Sequence, residues 1–599
     1  MFKYPPRKAA FLGNIISKDV LGMLIIISVY AIILLALIQR IFYGIEITDE
    51  AFYVAEGYIV TQGATPFVNM FQASGFALLN ASFVWLYVSV TGSTAGIMLY
   101  FRIISLLLRL TLVLIVCLIM KPYMKAKITA LWLLPFVAFV PHSIITMSYN
   151  TWALILMPLC CVLVVRSILS ENHRMSFGII GGSVFAFIIL CYPLMIITGI
   201  VLLPLILAYE KFNHIGHKTL YGYLAGGLIT GVVILLFFTL QSGNFYGIFE
   251  GLKIIIVDNP YNKLPKGISN ESLQTFTGYM KNWILSISIA YMFINLPVLN
   301  KKQKSLLVII SVITCIFYYS YNIFIDYAQI MYTLQARHQI SSVLCRLFFP
   351  IPLILLPLIE KKKKLAQALL IFIYLTSLIS CFASSYFAFN GMNNRYYFLV
   401  QGTLLVIPFI YFAINDLIEV KIEKVISFLS STLIACVFTL GFLMNYYGYL
   451  YRDEPIDQLN YKVKYGVYSG LYTTRARGEG ILSLEKTIRS VTNSSDNILF
   501  MDCVPMAYLM TDAQYTAPST WDIQLYSYGF TDDILLQKYF KTVNRTPNKI
   551  IFIFTGRDKI LSIDSQNYKF NDYVKSNYEL VSNITAHFPV KIYHKRKSQ

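Results

Sequence analysis

Residues 43–63, YGIEITDEAFYVAEGYIVTQG, follow the first long apolar run of the chain and place two adjacent carboxylates, Asp49 and Glu50, just past its end. Thr48 or Asp49 can cap a short helix that begins there, and Gly63 can end it. Apolar residues recur at helical spacing within this stretch, so we expect the helix to lie along a membrane surface. An acidic pair at the end of an apolar run indicates either a solvated helix start or the catalytic site at the membrane edge of an enzyme.

The composition of the chain indicates a polytopic α-helical membrane protein. Of its 599 residues, 57% are hydrophobic and only 13% are charged, whereas a soluble protein carries roughly 25% charged residues. The net charge of +19 would suggest nucleic acid in a soluble chain. Here most basic residues lie in short loops between apolar runs, so we interpret them as topology signals and expect no nucleic-acid partner.

Runs of about 20 apolar residues define the candidate spans. Basic residues precede the first span, so the N-terminus is expected in the cytoplasm. We interpret the short run 75–91 as a second interfacial or re-entrant helix, because a full span there would place the basic cluster 121–127 outside. About thirteen spans result, near 20–42, 95–120, 128–142, 149–168, 177–191, 193–209, 219–240, 283–299, 305–323, 343–359, 365–384, 398–414 and 425–447.

The tail from residue 448 changes character, because its hydrophobic runs shorten to strand length. We therefore predict a transmembrane catalytic domain over residues 1–447 and a small α/β domain outside the membrane over residues 448–599. The predicted strands are Asn497–Asp502, Lys549–Phe554, Tyr578–Ser582 and Val590–Tyr593, and the predicted helices are Leu535–Val543 and Phe570–Asn577.

Asp49 is the best candidate for a general base in the external loops. The dipole of a helix favours an ionised carboxylate at its N-terminus, and a carboxylate there could accept a proton from a sugar hydroxyl. Adjacent helical residues point about 100° apart, so only one of Asp49 and Glu50 can face a given cavity. The alternative is a capping pair without chemistry.

Several cationic residues are predicted on the same side of the membrane as Asp49, where the positive-inside rule disfavours them. Arginines kept there favour pairing with a carboxylate or a phosphate, although snorkelling or ion pairing within the helices is the plainer alternative. These candidates are Arg102, Arg337, His338 and Arg395. Tyr149, Asn150 and Tyr396 could line a sugar or lipid groove, whereas most aromatic residues at span ends form interfacial belts.

This arrangement resembles the GT-C superfamily of membrane glycosyltransferases, particularly the bacterial branch related to the lipid A aminoarabinose transferase and to protein O-mannosyltransferases. The resemblance rests on residues 48–53, on Gln62-Gly63 and Pro66-Phe67, on Arg102, and on Arg395-Tyr396. It implies transfer of a sugar from a polyprenyl-phosphate donor to a hydroxyl of a glycan, glycolipid or protein on the outer face of the bilayer. It also implies inversion at the anomeric carbon and a location in the bacterial cell membrane.

The resemblance also implies roles for individual residues. Asp49 would be the catalytic base, and Glu50 would position the acceptor or support Asp49. The donor phosphate would contact Arg102, Arg337, His338 and Arg395. No cofactor is required in this scheme. The loop 141–150 lacks the second acidic residue that relatives often carry, which makes a divalent metal less expected and also disfavours a lipid A acceptor.

Two other functions remain open at this point. A polysaccharide polymerase or ligase using a diphosphate-linked chain would also need external arginines, but not an acid at the head of the first external helix. A transporter or flippase would predict inverted repeats and broken helices near the middle of the bilayer, and we see no convincing internal repeat.

Overall fold

The computed structural model describes residues 18–68, 70, 75–253, 339–386, 396–417, 423–448, 450, 452–501, 504–517, 519–520, 540, 545–554, 569–585 and 588–596, with scattered helical residues between 281 and 303. The helices of the first half are Lys18–Arg40 (α1), Asp49–Thr61 (α2), Phe76–Thr91 (α3), Ile97–Met120 (α4), Ala126–Ala138 (α5), Tyr149–Leu169 (α6), Arg174–Cys191 (α7), Ile196–Phe212 (α8), Lys218–Ser242 (α9) and Phe245–Lys253 (α10). Those of the second half are Gln339–Phe348 (α11), Ile351–Leu355 (α12), Lys363–Leu369 (α13), Thr376–Tyr386 (α14), Val400–Thr403 (α15), Val406–Leu417 (α16), Glu423–Gly448 (α17), Arg475–Val491 (α18), Met506–Leu509 (α19) and Lys569–Asn577 (α20).

Within the described residues, ten helical segments are long and apolar enough to cross a membrane. They match ten of the predicted spans, which confirms a polytopic membrane protein. The span predicted near 128–142 is instead the 13-residue helix α5, because the chain turns extended at Phe139 and a proline follows at Pro141. The spans predicted at 283–299 and 305–323 fall outside the continuously described residues.

Helix α2 begins at Asp49 and ends at Thr61, with Gly63 following at φ +96°, as the glycine stop signal predicts. Glu50 through Val60 are all buried within the protein. Helix α3 packs against one side of α2, and part of the tail covers another. A helix enclosed by protein on several sides needs no polar face.

The tail forms the expected α/β domain. Its five-stranded sheet has the order β4-β3-β5-β7-β6, in which β3 runs parallel to β4 and β5, while β7 runs antiparallel to β5 and β6. The strands are Asn497–Met501 (β3), Gln514–Tyr515 (β4), Lys549–Ile553 (β5), Tyr578–Ile584 (β6) and Val590–Lys595 (β7), and a separate hairpin pairs Tyr461–Lys462 (β1) with Tyr472–Thr473 (β2). The helix predicted at 535–543 lies outside the described residues apart from Phe540.

The tail packs directly against the segment 42–94, which lies between α1 and α4. The backbone N–H of Gly44 donates to the Tyr472 carbonyl at 2.9 Å, and the Tyr472 N–H donates back to the Phe42 carbonyl at 2.8 Å. The Thr94 hydroxyl donates to the Leu509 carbonyl at 2.7 Å. These bonds cross the domain boundary predicted at residue 448 and place the start of the tail beside Asp49 and Glu50.

Candidate active site

Glu50 and Arg102 form a buried bidentate ion pair between α2 and α4. Arg102 Nε donates to Glu50 Oε1 at 2.8 Å and Nη2 donates to Oε2 at 2.6 Å, and the two side chains are 3% exposed or less. The same guanidinium donates to the carbonyls of Ile41 and Gly44 at 2.8 Å each. Arg102 is therefore engaged by protein acceptors, a geometry that favours a positioning role over the phosphate contact predicted from sequence.

Asp49 faces the tail rather than the membrane helices. Arg452 Nη1 lies 2.6 Å from Asp49 Oδ2, and the Asp49 side chain keeps 16% of its surface exposed. Asp49 and Glu50 thus point to different neighbours, as their offset around the helix requires. Of the two carboxylates, Asp49 is the more exposed, with 16% of its side-chain surface exposed against 3% for Glu50.

The N-terminus of α2 is capped by Glu46, a residue that the sequence analysis did not single out. Glu46 Oε2 accepts from the backbone N–H of Thr48 at 3.0 Å and of Glu50 at 2.7 Å. Thr48 is the N-cap residue, as one of the two predicted alternatives has it. Its side chain makes no capping bond, however, so it is not the capping acceptor. Burial, and then the nearby Asp49 carboxylate, raise the pKa of Glu46 above its ordinary value.

Arg452 is held in a backbone conformation that is uncommon for arginine. Its φ is +58°, in the left-handed region that favours glycine. Its carbonyl accepts from Arg477 Nη1 at 2.8 Å, and the next residue, Asp453, accepts from the Ile45 N–H at 2.6 Å. Local strain of this kind persists when surrounding contacts determine it and concentrates at functional sites.

No local signal could have revealed Arg452. It lies just beyond the last span, where an arginine is ordinarily a flanking surface residue. Only the docking of the tail brings it to Asp49 and Glu46, the latter at 3.3 Å from Arg452 Nη1.

A narrow cleft, part of it open to solvent, lies between the end of α1 and the loop 139–148. Glu50 and Glu46 line it, while Asp49 does not. The lining residues are Arg40, Tyr43, Gly44, Glu46, Glu50, Arg102, Ser143, Ile144, Ile145 and Leu450. The cleft therefore lies between the loop after α1 and the loop before α6.

The three predicted substrate-lining residues lie in one aromatic cluster near this loop. The Tyr149 ring packs against Tyr53 and Tyr192 at centroid distances of 5.6 and 5.4 Å. Asn150 Oδ1 accepts from the Tyr397 hydroxyl at 2.6 Å, and Tyr396 packs edge-on to Phe139. Asn150 is thus engaged in a side-chain hydrogen bond, and only Tyr149 of the three is partly exposed.

Three predicted phosphate contacts, Arg337, His338 and Arg395, lie outside the described residues. Among the residues that are described, no group of three or more histidine, cysteine or acidic side chains is arranged to hold a metal ion.

Comparison with known proteins gives a similarity at the level of structure. No family model matches the chain, and the search of curated proteins found no match. Among solved structures, the chain is similar to the archaeal oligosaccharyltransferase AglB from Archaeoglobus fulgidus, solved with an inhibitory peptide and a dolichol-phosphate. The TM-score is 0.39 at 10% identity, over 88% of this chain and 69% of the other.

Proposed function

We propose that this protein is a membrane glycosyltransferase of the GT-C type that transfers a sugar from a polyprenyl-phosphate donor to an acceptor hydroxyl on the outer face of a bacterial cell membrane. The observation that carries the proposal is the environment of Asp49. This carboxylate begins a helix in the first external loop, keeps access to solvent, and is oriented by Arg452 at 2.6 Å. A positioned carboxylate of this kind is suited to general-base chemistry.

In the proposed reaction, the acceptor hydroxyl attacks the anomeric carbon of the donor sugar. Asp49 takes the hydroxyl proton as the new C–O bond forms. The bond between the anomeric carbon and the phosphate oxygen breaks, and its electron pair leaves with polyprenyl phosphate. A direct displacement of this kind inverts the anomeric centre and needs no separate energy source, because the donor is already activated.

Glu50 and Arg102 support this centre rather than react in it. Their bidentate pair joins α2 to α4 and so sets the position of the turn that carries Asp49. Arg337, His338 and Arg395 remain proposed contacts of the donor phosphate. The acceptor is proposed to be a cell-wall or surface polysaccharide or a glycolipid.

The proposal is tested by assaying the purified chain in detergent with a panel of polyprenyl-phosphate sugars and with membrane glycan acceptors. We expect Asp49→Asn to lower transfer by at least ~100-fold, because general-base catalysis typically contributes 10²–10⁴-fold. Glu479→Asn, at an exposed position of α18, is the matched control and should transfer at the wild-type rate. Wild-type transfer by a folded Asp49→Asn variant would remove Asp49 as the base, and no transfer from any donor of the panel would refute the proposed function.

A further inference from the structure

A buried arginine lines the cleft between α1 and the loop 139–148. Arg40, the last residue of α1, is 1% exposed. Its Nε donates to the Tyr446 carbonyl at 3.0 Å, its Nη1 donates to the Tyr43 carbonyl at 2.7 Å, and its guanidinium lies 4.8 Å from the centre of the Tyr446 ring. No described residue accepts a hydrogen bond from Nη2, and Arg40 lines the cleft.

Ser143 presents a second unused donor to the same cleft. It is 4% exposed, and its hydroxyl has no hydrogen-bond partner among the described residues. Its φ is +57°, and that of the preceding residue, His142, is +54°. Two consecutive non-glycine residues in the left-handed region cost conformational free energy, and a buried hydroxyl without a partner adds a further cost. Ser143, which lines the cleft, carries both costs.

The charges around the cleft leave Arg40 without a counter-ion. Glu50 is committed to Arg102 through two hydrogen bonds, and Glu46 is committed to the α2 cap and to Arg452. No described carboxylate lies within ion-pair distance of Arg40. Because buried donors are normally paired, Arg40 Nη2 can take an acceptor that the described residues do not supply.

We propose that Arg40 and Ser143 form an anion site that binds the phosphate of the lipid-linked donor; this assignment rests on the proposed function. The planar guanidinium matches phosphate oxygens, and the hydroxyl of Ser143 supplies a second donor to the same cleft. The site lies at the end of a membrane span, where the phosphate of a lipid with its chain in the bilayer would be found. Arg102 stays neutralised by Glu50 and does not compete for this anion.

A purely structural role for Arg40 has a different signature. A cation in the last turn of a helix is stabilised by the helix dipole, and this would account for Arg40 without any ligand. It gives no reason for the unpartnered hydroxyl of Ser143. The test therefore uses both residues, because Ser143→Ala removes one oxygen and leaves the packing of α1 unchanged.

Binding of a short-chain polyprenyl phosphate and of the matching polyprenol is measured with the purified full chain in detergent. The wild type should bind the phosphate lipid at least ~10-fold more tightly than the alcohol. Arg40→Gln should weaken phosphate-lipid binding by ~10- to 100-fold and Ser143→Ala by ~2- to 10-fold, as expected for a charged and a neutral hydrogen bond. Polyprenol binding should stay constant in both, since damage to the fold would lower both affinities. Ser82→Ala and Arg475→Gln, at exposed positions, are the matched controls.

The outcomes separate this inference from the proposed function. If the wild type does not distinguish the phosphate lipid from the alcohol, the lipid-phosphate donor itself is wrong. If the wild type does distinguish them and both variants bind like the wild type, the Arg40–Ser143 site is wrong. Binding of inorganic phosphate that Ser143→Ala abolishes, with lipid discrimination unchanged, would assign the site to a free anion and overturn the lipid assignment.

Discussion

The Arg102 guanidinium donates hydrogen bonds within the protein, to a carboxylate and to backbone carbonyls. Glu50 supplies two of its hydrogen bonds, and the carbonyls of Ile41 and Gly44 supply others. A buried ion pair of this kind contributes little net stability when intact. Loss of one partner leaves the other charge buried and unpaired in a low-dielectric environment, which is strongly destabilising. The pair consequently fixes the geometry of the loop between α1 and α2.

We expect Glu50→Gln and Arg102→Gln each to destabilise the protein by about 3–5 kcal/mol. The double substitution should cost much less than the sum of the two, because it leaves no stranded charge. The measurement is the thermal unfolding midpoint in detergent. The exposed pair of Arg475 and Glu479 is the control, and its glutamine variants should change stability by less than ~0.5 kcal/mol. Additive losses at Glu50 and Arg102 would contradict the pairing.

Arg452 controls the electrostatics of the two carboxylates at the start of α2. Its charge lowers the pKa of Glu46, although burial and Asp49 together hold that pKa above its ordinary value. We expect Arg452→Gln to raise the pKa of Glu46 further. The acid limb of the pH–rate profile for sugar transfer should also move to higher pH by ~1 unit or more, because the proposed base Asp49 loses its ion-pair partner. Arg475→Gln is the control for loss of one positive charge, and an unchanged acid limb in Arg452→Gln would separate Arg452 from the reaction.

At the scale of elements, α7 and α9 approach closely because glycines line their contact. A Cβ at Gly182 would meet the Tyr223 carbonyl oxygen, and a Cβ at Gly226 would meet the Ile179 carbonyl oxygen. Small residues of this kind allow helix backbones to pack tightly where lipid gives no hydrophobic driving force between helices. The close packing of the two spans depends on these positions.

Gly182→Ala and Gly226→Ala should each lower stability by ~1–3 kcal/mol, because the added methyl group forces two backbones apart. Gly231→Ala, also in α9, is the matched control, since nothing lies within 4 Å of its added Cβ. It should be neutral or slightly stabilising, given the higher helix propensity of alanine. Thermal unfolding in detergent compares the three variants, and equal effects at positions 226 and 231 would argue against the close contact.

At the scale of the whole molecule, a buried carboxylate links the interfacial helix to the tail. Glu56 of α2 is fully buried, and its Oε1 accepts from the Thr520 hydroxyl at 2.6 Å and from the Thr520 N–H at 3.1 Å. Its Oε2 has no partner among the described residues. Burial raises the pKa of Glu56 to about 7, so this contact between the tail and the membrane domain depends on pH.

The sign of that dependence follows from the raised pKa. Below about pH 4.5 the Glu56 carboxyl is protonated whether the tail is docked or not. Between about pH 4.5 and 7 it stays protonated only when the tail is docked. Above about pH 7 docking must bury its negative charge. We therefore expect stability to fall by ~3 kcal/mol as the pH rises through this window. Glu56→Gln should remove this part of the pH dependence of the unfolding midpoint, whereas Glu479→Gln should keep it. Parallel pH profiles for Glu56→Gln and the wild type would refute the assignment.

The sequence by itself determined the features that depend on local chemistry. Span length and hydropathy gave ten of the spans, Gly63 ended α2, and strands β3, β5, β6 and β7 lie within a few residues of their predicted positions. These features are readable because a membrane span needs about 20 apolar residues and a strand has its own period and flanking turns. The sequence also singled out Asp49, Glu50 and Arg102, without saying which would pair.

Only the tertiary structure decided how these residues meet. Arg452 reaches Asp49 from beyond the last span, and Arg40 and Ser143 line one cleft. The burial of α2 likewise depends on a tail that follows the last span. These contacts join distant parts of the chain, and their partners are chosen by the packing of whole domains and the need to pair buried charges. No local pattern carries that information.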